Sequence, residues 1–125
     1  MYKLHISVPL DGTKSYDFKT KPTFEDMYGY LDCDMIQIST GYLPEWSNRK
    51  DGYTDIYFDE EGKFKELVIP NKHITNAWYK WQEKTGHQSL PGDYIAGKVA
   101  VIQKMDASQV NNLDKDTDKK QFGAR

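Results

Sequence analysis

A single cysteine, Cys33, is all that the 125 residues provide, so no internal disulfide framework holds this chain together. Histidine is nearly as scarce. His5, His73 and His87 stand far apart, with neither His-x-x-x-His nor Cys-x-x-Cys spacing, so a metal site would have to be assembled wholly by the tertiary fold. No apolar run approaches the ~20 residues that cross a bilayer, which leads us to expect a soluble chain without a membrane partner. No glycine-rich loop leads into a helix, because Gly92 and Gly97 flank strand-like residues, and the phosphate cradle of nucleotide sites is therefore missing. Nor is there an excess of one charge. A net charge of -2 and a pI near 5.9 argue against the clustered basic face that releases counterions from DNA, and also against a strongly acidic DNA mimic.

Aromatic residues are what the chain has in quantity, with three Trp and nine Tyr, and in a small domain some of those rings must reach the surface. At this length one core is expected, burying about two-thirds of the surface of the unfolded chain. The opening residues YKLHISV alternate like a strand instead of forming a charged and then apolar leader, which leads us to expect a cytoplasmic protein.

Tyr2, Leu4, Ile6 and Val8 alternate with Lys3, His5 and Ser7, the period of a strand with one buried face. Asp11-Gly12 supplies a turn, and Ser15 to Lys19 alternates again, so an N-terminal hairpin is expected. Thr23 is placed to cap a helix, with Asp26 completing a capping box and Phe24, Met27, Tyr28 and Leu31 forming one apolar stripe. Met35 to Ser39 reads as a strand. Ile56 and Phe58, the acidic turn Asp59-Glu60-Glu61-Gly62 and the run Phe64 to Ile69 read as a second hairpin; the turn lacks the alternating oxygen ligands of a calcium loop. Asn71 suits an N-cap, Ile74, Ala77, Trp78 and Trp81 give a helix face, and Gly86 gives its stop. Tyr94 to Gln103 is expected as a central strand, with Ala96, Gly97 and Ala100 permitting close approach of a covering element. The sum is an α+β fold over residues 1–105: one small domain, a mostly antiparallel sheet of five to six strands with two helices packed on it. Residues 106–125 are polar, and a disordered tail is expected there.

The longest break in pattern is Thr40 to Tyr53, TGYLPEWSNRKDGY, and loops of that length in compact domains are often functional. One expectation is that Tyr42, Leu43 and Trp46 fold back to cap the core. The other is that the loop binds. Cys33 could join a histidine and Asp34 or Asp93 as nucleophile and base, although its position between helix and strand fits a small buried thiol. No catalytic pattern emerges, so a protein that is not an enzyme and needs no cofactor is expected.

The runs FEDMYGYLDCDMIQI, DIYFDEEGKFKELVIPNKHITNAW and GDYIAGKVAVIQK, in that order between Thr23 and Lys104, resemble the domain-of-unknown-function family numbered 3846, small proteins of phages, plasmids and other mobile elements. The most specific parts are the turn at Asp59 to Lys63, the Asn71-led helix with Ala77-Trp78, and Gly92 to Gly97. The chain departs from the pattern in its Trp-containing loop after Ser39, in WYKWQEKTGHQ before Gly92, and in its tail. The resemblance implies a mobile-element origin, hence the cytoplasm of a bacterial host, and no established activity. Two functions are then expected. One is an accessory factor that binds a host or element-encoded protein through Tyr42, Trp46, Arg49, Tyr53 and Tyr79, residue types that anchor interfaces. The alternative is a single-stranded nucleic-acid module in which these rings stack on bases while Lys50, Lys72, Lys80 and Lys84 meet phosphates. A homodimer formed through Tyr2 to Val8 at a sheet edge is a further expectation.

Overall fold

The computed structural model describes residues 1–65, 67–87 and 92–105. The expected tail, with Val110, Leu113 and Phe122, lies outside them. Five antiparallel strands, β1 (Tyr2–Val8), β2 (Gly12–Phe18), β3 (Ile36–Tyr42), β4 (Tyr53–Asp59) and β5 (Val99–Lys104), form one sheet in the order β2-β1-β5-β4-β3. Helices α1 (Phe24–Leu31) and α2 (Lys72–Thr85) pack on opposite faces of it. The result is the α+β domain that the alternation and the two capped helices predicted.

Each helix begins where its chemistry dictates. Thr23 Oγ1 accepts the Asp26 N–H and Asp26 returns a bond to the Thr23 N–H, a complete capping box. Met27 and Leu31 then enter a core with Leu4, Ile6, Cys33 and Ala100. Asn71 Oδ1 accepts the Ile74 N–H to start α2, and Gly86 ends it at φ 79°, where a side chain would be strained. Ile74 and Ala77 pack with Ile56, Val99 and Val101 in the second core, while Trp78 lies half-buried against it. Trp81 does not join that core: it is half-buried and stacks on His87.

Three expectations are corrected. Phe64 to Ile69 is not the partner of β4, because β4 already has β3 on one side and β5 on the other. After β4 the chain turns through a single 3-10 turn, Gly62–Phe64, and Phe64 is left 85% exposed. Residues 94–98 are not strand; Ile95 to Gly97 instead bonds to Ile69, Asn71 and Thr75. Finally, β1 is no edge strand and cannot pair two copies, since β2 and β5 flank it; the edges are β2 and β3. Because β1 is covered on both faces, His5 and Ser7 are buried along with Leu4 and Ile6.

Asn71 is 1% exposed and does more than cap α2. Its Nδ2 donates to the Ser7 carbonyl at 3.2 Å and the Gly97 carbonyl at 3.0 Å, so one amide clips β1, the start of α2 and the 95–97 segment together. Asn71→Ala is therefore expected to cost about 2–4 kcal/mol, a lost cap plus buried carbonyls without donors. Aspartate caps helices as well as asparagine does. Asn71→Asp should nonetheless be nearly as damaging, because it cannot donate; a urea midpoint restored by Asp would show that capping alone matters.

Candidate functional site

Between β3 and β4 the loop from Leu43 to Gly52 is built, not loose. The Leu43 N–H donates to the Gly52 carbonyl at 2.9 Å, Ser47 Oγ donates to the Tyr53 carbonyl at 2.6 Å, and Tyr53 N–H donates to Asp51 at 2.9 Å. Asn48 fastens the loop to the end of β5 by a reciprocal pair with Lys104, both bonds 2.7 Å. Gly52 sits at φ 80°, and a Cβ there would lie 2.7 Å from the Tyr42 ring, so both conformation and space reserve the position for glycine.

The loop divides the expected site residues. Leu43 is buried, and Trp46 lies flat on the His5 imidazole, with ring centroids 4.6 Å apart and planes 8° apart. Trp46 also meets His73 in a T-shaped contact at 5.7 Å. Trp46 thus follows the capping expectation. Tyr42, Arg49 and Tyr53 gather at the hairpin end: the two tyrosine rings meet edge to face at 6.1 Å, Arg49 lies 6.0 Å from the Tyr53 ring, and Lys84 of α2 lies 4.9 Å from the Tyr42 ring. Arg49 also forms a 2.6 Å ion pair with Asp51. Tyr79 stands apart, stacked beside Trp78 and donating to the Asp93 carbonyl.

Beneath Trp46 is a constellation that sequence reasoning missed. His5 Nε2 lies 2.8 Å from Gln103 Oε1, and since a carbonyl oxygen only accepts, Nε2 carries the proton. Nδ1 then accepts from the Ser15 hydroxyl at 2.7 Å. Serine, histidine and an orienting group stand in the order of a nucleophilic relay. Here, however, the orienting group is a neutral amide, which carries no charge to stabilise the imidazolium that such a relay forms. Burial holds the His5 pKa below the ordinary imidazole value, Lys3 adds to that, and the neutral Gln103 amide together with distant Glu45 and Asp17 opposes it only in part. The row reads as a polar tie across β2, β1 and β5.

Cys33 and the histidines do not meet: Cys33 belongs to the α1 core, whereas His5 lies on the face covered by Trp46. Burial raises the Cys33 pKa, and nearby Asp59 raises it further, so thiolate is disfavoured. Among the described residues no group of three His, Cys, Asp or Glu side chains converges to hold a metal ion. No described helix is long and apolar enough to cross a membrane.

A concavity lies at the other end of the β3–β4 hairpin. It has a volume of about 250 Å³ and is walled by Phe58, Phe64, Trp78 and Tyr94. Gly62 makes it possible by approaching the Ala96 carbonyl so closely that a Cβ would lie 3.2 Å from that oxygen. Compared with known proteins, the chain matches no family model, no curated protein and no solved structure. The Asp59 to Lys63 run forms a turn and Asn71 a helix cap, while Gly92 to Gly97 is irregular.

The stack on His5 has a testable consequence. An unfolded chain binds the His5 proton near pH 6.5 and the folded one only at lower pH, so this contribution to stability is present above pH 6.5 and is lost as pH falls through the folded value. NMR titration should show His5 titrating below the ordinary value. Trp46→Ala should move it back up and cost about 2 kcal/mol, less than the 3–5 of a fully buried ring; a His5 titration unchanged in that variant would refute the stack.

Proposed function

We propose that this chain is a non-enzymatic protein-binding module whose contact surface is the cluster of Tyr42, Arg49, Tyr53 and Lys84. The carrying observation is that the sequence's interface-type residues, tyrosine and arginine, converge with a lysine at the exposed end of a hairpin whose loop is pinned by its own hydrogen bonds. A preformed surface loses little entropy on binding, and tyrosine and arginine contribute area together with a polar handle. Trp46 and Tyr79 support the scaffold instead of the contact. The resemblance to the mobile-element family gives the setting: an accessory protein of a phage or plasmid acting on a host or element-encoded protein in the bacterial cytoplasm, to modulate host machinery or defence.

Single-stranded nucleic acid is the weaker reading. A base needs an open ring face, but Lys84 lies over Tyr42, Arg49 over Tyr53 and His5 against Trp46, so each ring has a face taken by its own chain.

Capture from host lysate separates the two. Arg49→Ala/Lys84→Ala removes only exposed cationic groups and should leave thermal stability within about 0.5 kcal/mol. A specific protein held through nuclease and high salt by wild type, and lost at least fivefold by the variant, is the expected result. Recovery of nucleic acid only at low salt would transfer the function to the alternative.

A further inference from the structure

The pocket at the far end of the hairpin carries a chemistry that the Tyr42 cluster does not share. Its rings, Phe58, Phe64, Trp78 and Tyr94, are joined by Asp59, Glu60 and Asp93; Asp59 is paired with Lys65 at 3.3 Å, which leaves Glu60 and Asp93 facing the ammonium of Lys63. That ammonium is already placed as a ligand would be: it is ion-paired to Asp93 and lies 4.5 Å from the centre of the Tyr94 ring. Asp93 is set for the purpose, because its Oδ1 also accepts the Tyr94 N–H at 2.9 Å and Tyr79 bonds to its carbonyl. Aromatic faces beside a carboxylate are the usual surroundings of a bound organic cation. At about 250 Å³ the space falls below the ~300–1,000 Å³ of small-molecule sites and suits one side chain.

We propose that this pocket receives an arginine or lysine side chain of a protein partner, which displaces Lys63 from Asp93 and the Tyr94 ring. Charge complementarity selects the occupant: with Asp59 held by Lys65 at 3.3 Å, Asp93 and Glu60 face a single ammonium, and Lys63 marks the seat as an internal stand-in. Glu60 forms no ion pair among the described residues and faces the same pocket, so it can take the displaced ammonium or meet the second donor of a guanidinium. The partner as source rests on the protein-binding reading; the recognition of a cation does not.

The test uses the full chain and the peptide Ac-Ala-Gly-Arg-Gly-Ala-NH2, with its neutral citrulline counterpart and free guanidinium chloride as controls, read by NMR shifts of the Trp78 indole and the Tyr94 ring. The arginine peptide should shift both and the citrulline peptide neither. Lys63→Met removes the internal competitor and should tighten binding at least fivefold, whereas Asp93→Asn should weaken it about tenfold; thermal unfolding confirms that each variant is folded. Equal shifts from arginine and citrulline, or binding unchanged or weakened in Lys63→Met, would overturn the proposal. Guanidinium chloride binding as tightly as the peptide would overturn the side-chain source. The titration needs no lysate partner, and Arg49→Ala/Lys84→Ala should leave it unchanged, so failure here and failure of the Tyr42 cluster are separately visible.

Discussion

One buried amide holds the order of this fold. Asn71 starts α2, receives the 95–97 segment through its backbone N–H, and reaches β1 through its side chain, so three pieces distant in sequence share one residue. The sheet alone would not fix where α2 lies, because apolar contact between a helix and a sheet tolerates sliding. Directional bonds at one end remove that freedom. Thr75 repeats the device one turn on, its hydroxyl accepting the Ile95 N–H at 3.0 Å, so the segment ahead of β5 is tied twice before the strand begins. Everything Trp78 helps to enclose depends on that placement.

With a helix on each face, β1 and β5 cannot be half-polar in the simple way of an open antiparallel sheet. β5 solves this with Val99 and Val101 towards α2 and Ala100 towards α1. β1 solves it differently, with Leu4 and Ile6 on one side and hydrogen-bonded His5 and Ser7 on the other. Polar groups in such a place are affordable only when paired. Trp46 then closes the polar row with a flat apolar cover, which is why the loop is folded back and why the largest ring in it is not offered to a partner.

Local chemistry was legible in the sequence and competition between distant segments was not. Thr23, Asn71 and Gly86 announce helix ends because a cap is settled within four residues. The apolar continuity of Val99 to Val101 announced a central strand for the same reason. Phe64 to Ile69 imitates a returning strand, but no local signal says that both sides of β4 are filled by strands from elsewhere. His5 looked like an exposed face because the groups that bury it, Trp46 and Gln103, lie far along the chain. In the candidate site, Tyr42, Arg49 and Tyr53 were legible as neighbours on one loop. The pocket was not, since β4, α2 and the segment at Tyr94 lie far apart in sequence and are joined by the tertiary fold, through the Asn71 clip, the Thr75 bond and the core around Ile56.

The two ends of the β3–β4 hairpin bear opposite character. At the Tyr42 end Arg49, paired with Asp51, and Lys84 lie over tyrosine rings; at the Phe58 end Asp59, Glu60 and Asp93 meet Lys63 and Lys65, one carboxylate in excess. Five residues along a strand separate them, roughly 17 Å at about 3.3 Å each. A nucleic-acid strand carries one sign throughout, so it would gain at one end and be repelled at the other. A protein surface can present an acidic group and a basic side chain at that spacing, and electrostatic complementarity of this kind fixes register more than it adds affinity. A surface that carries both signs at that spacing fits the proposed protein partner better than a strand of uniform charge.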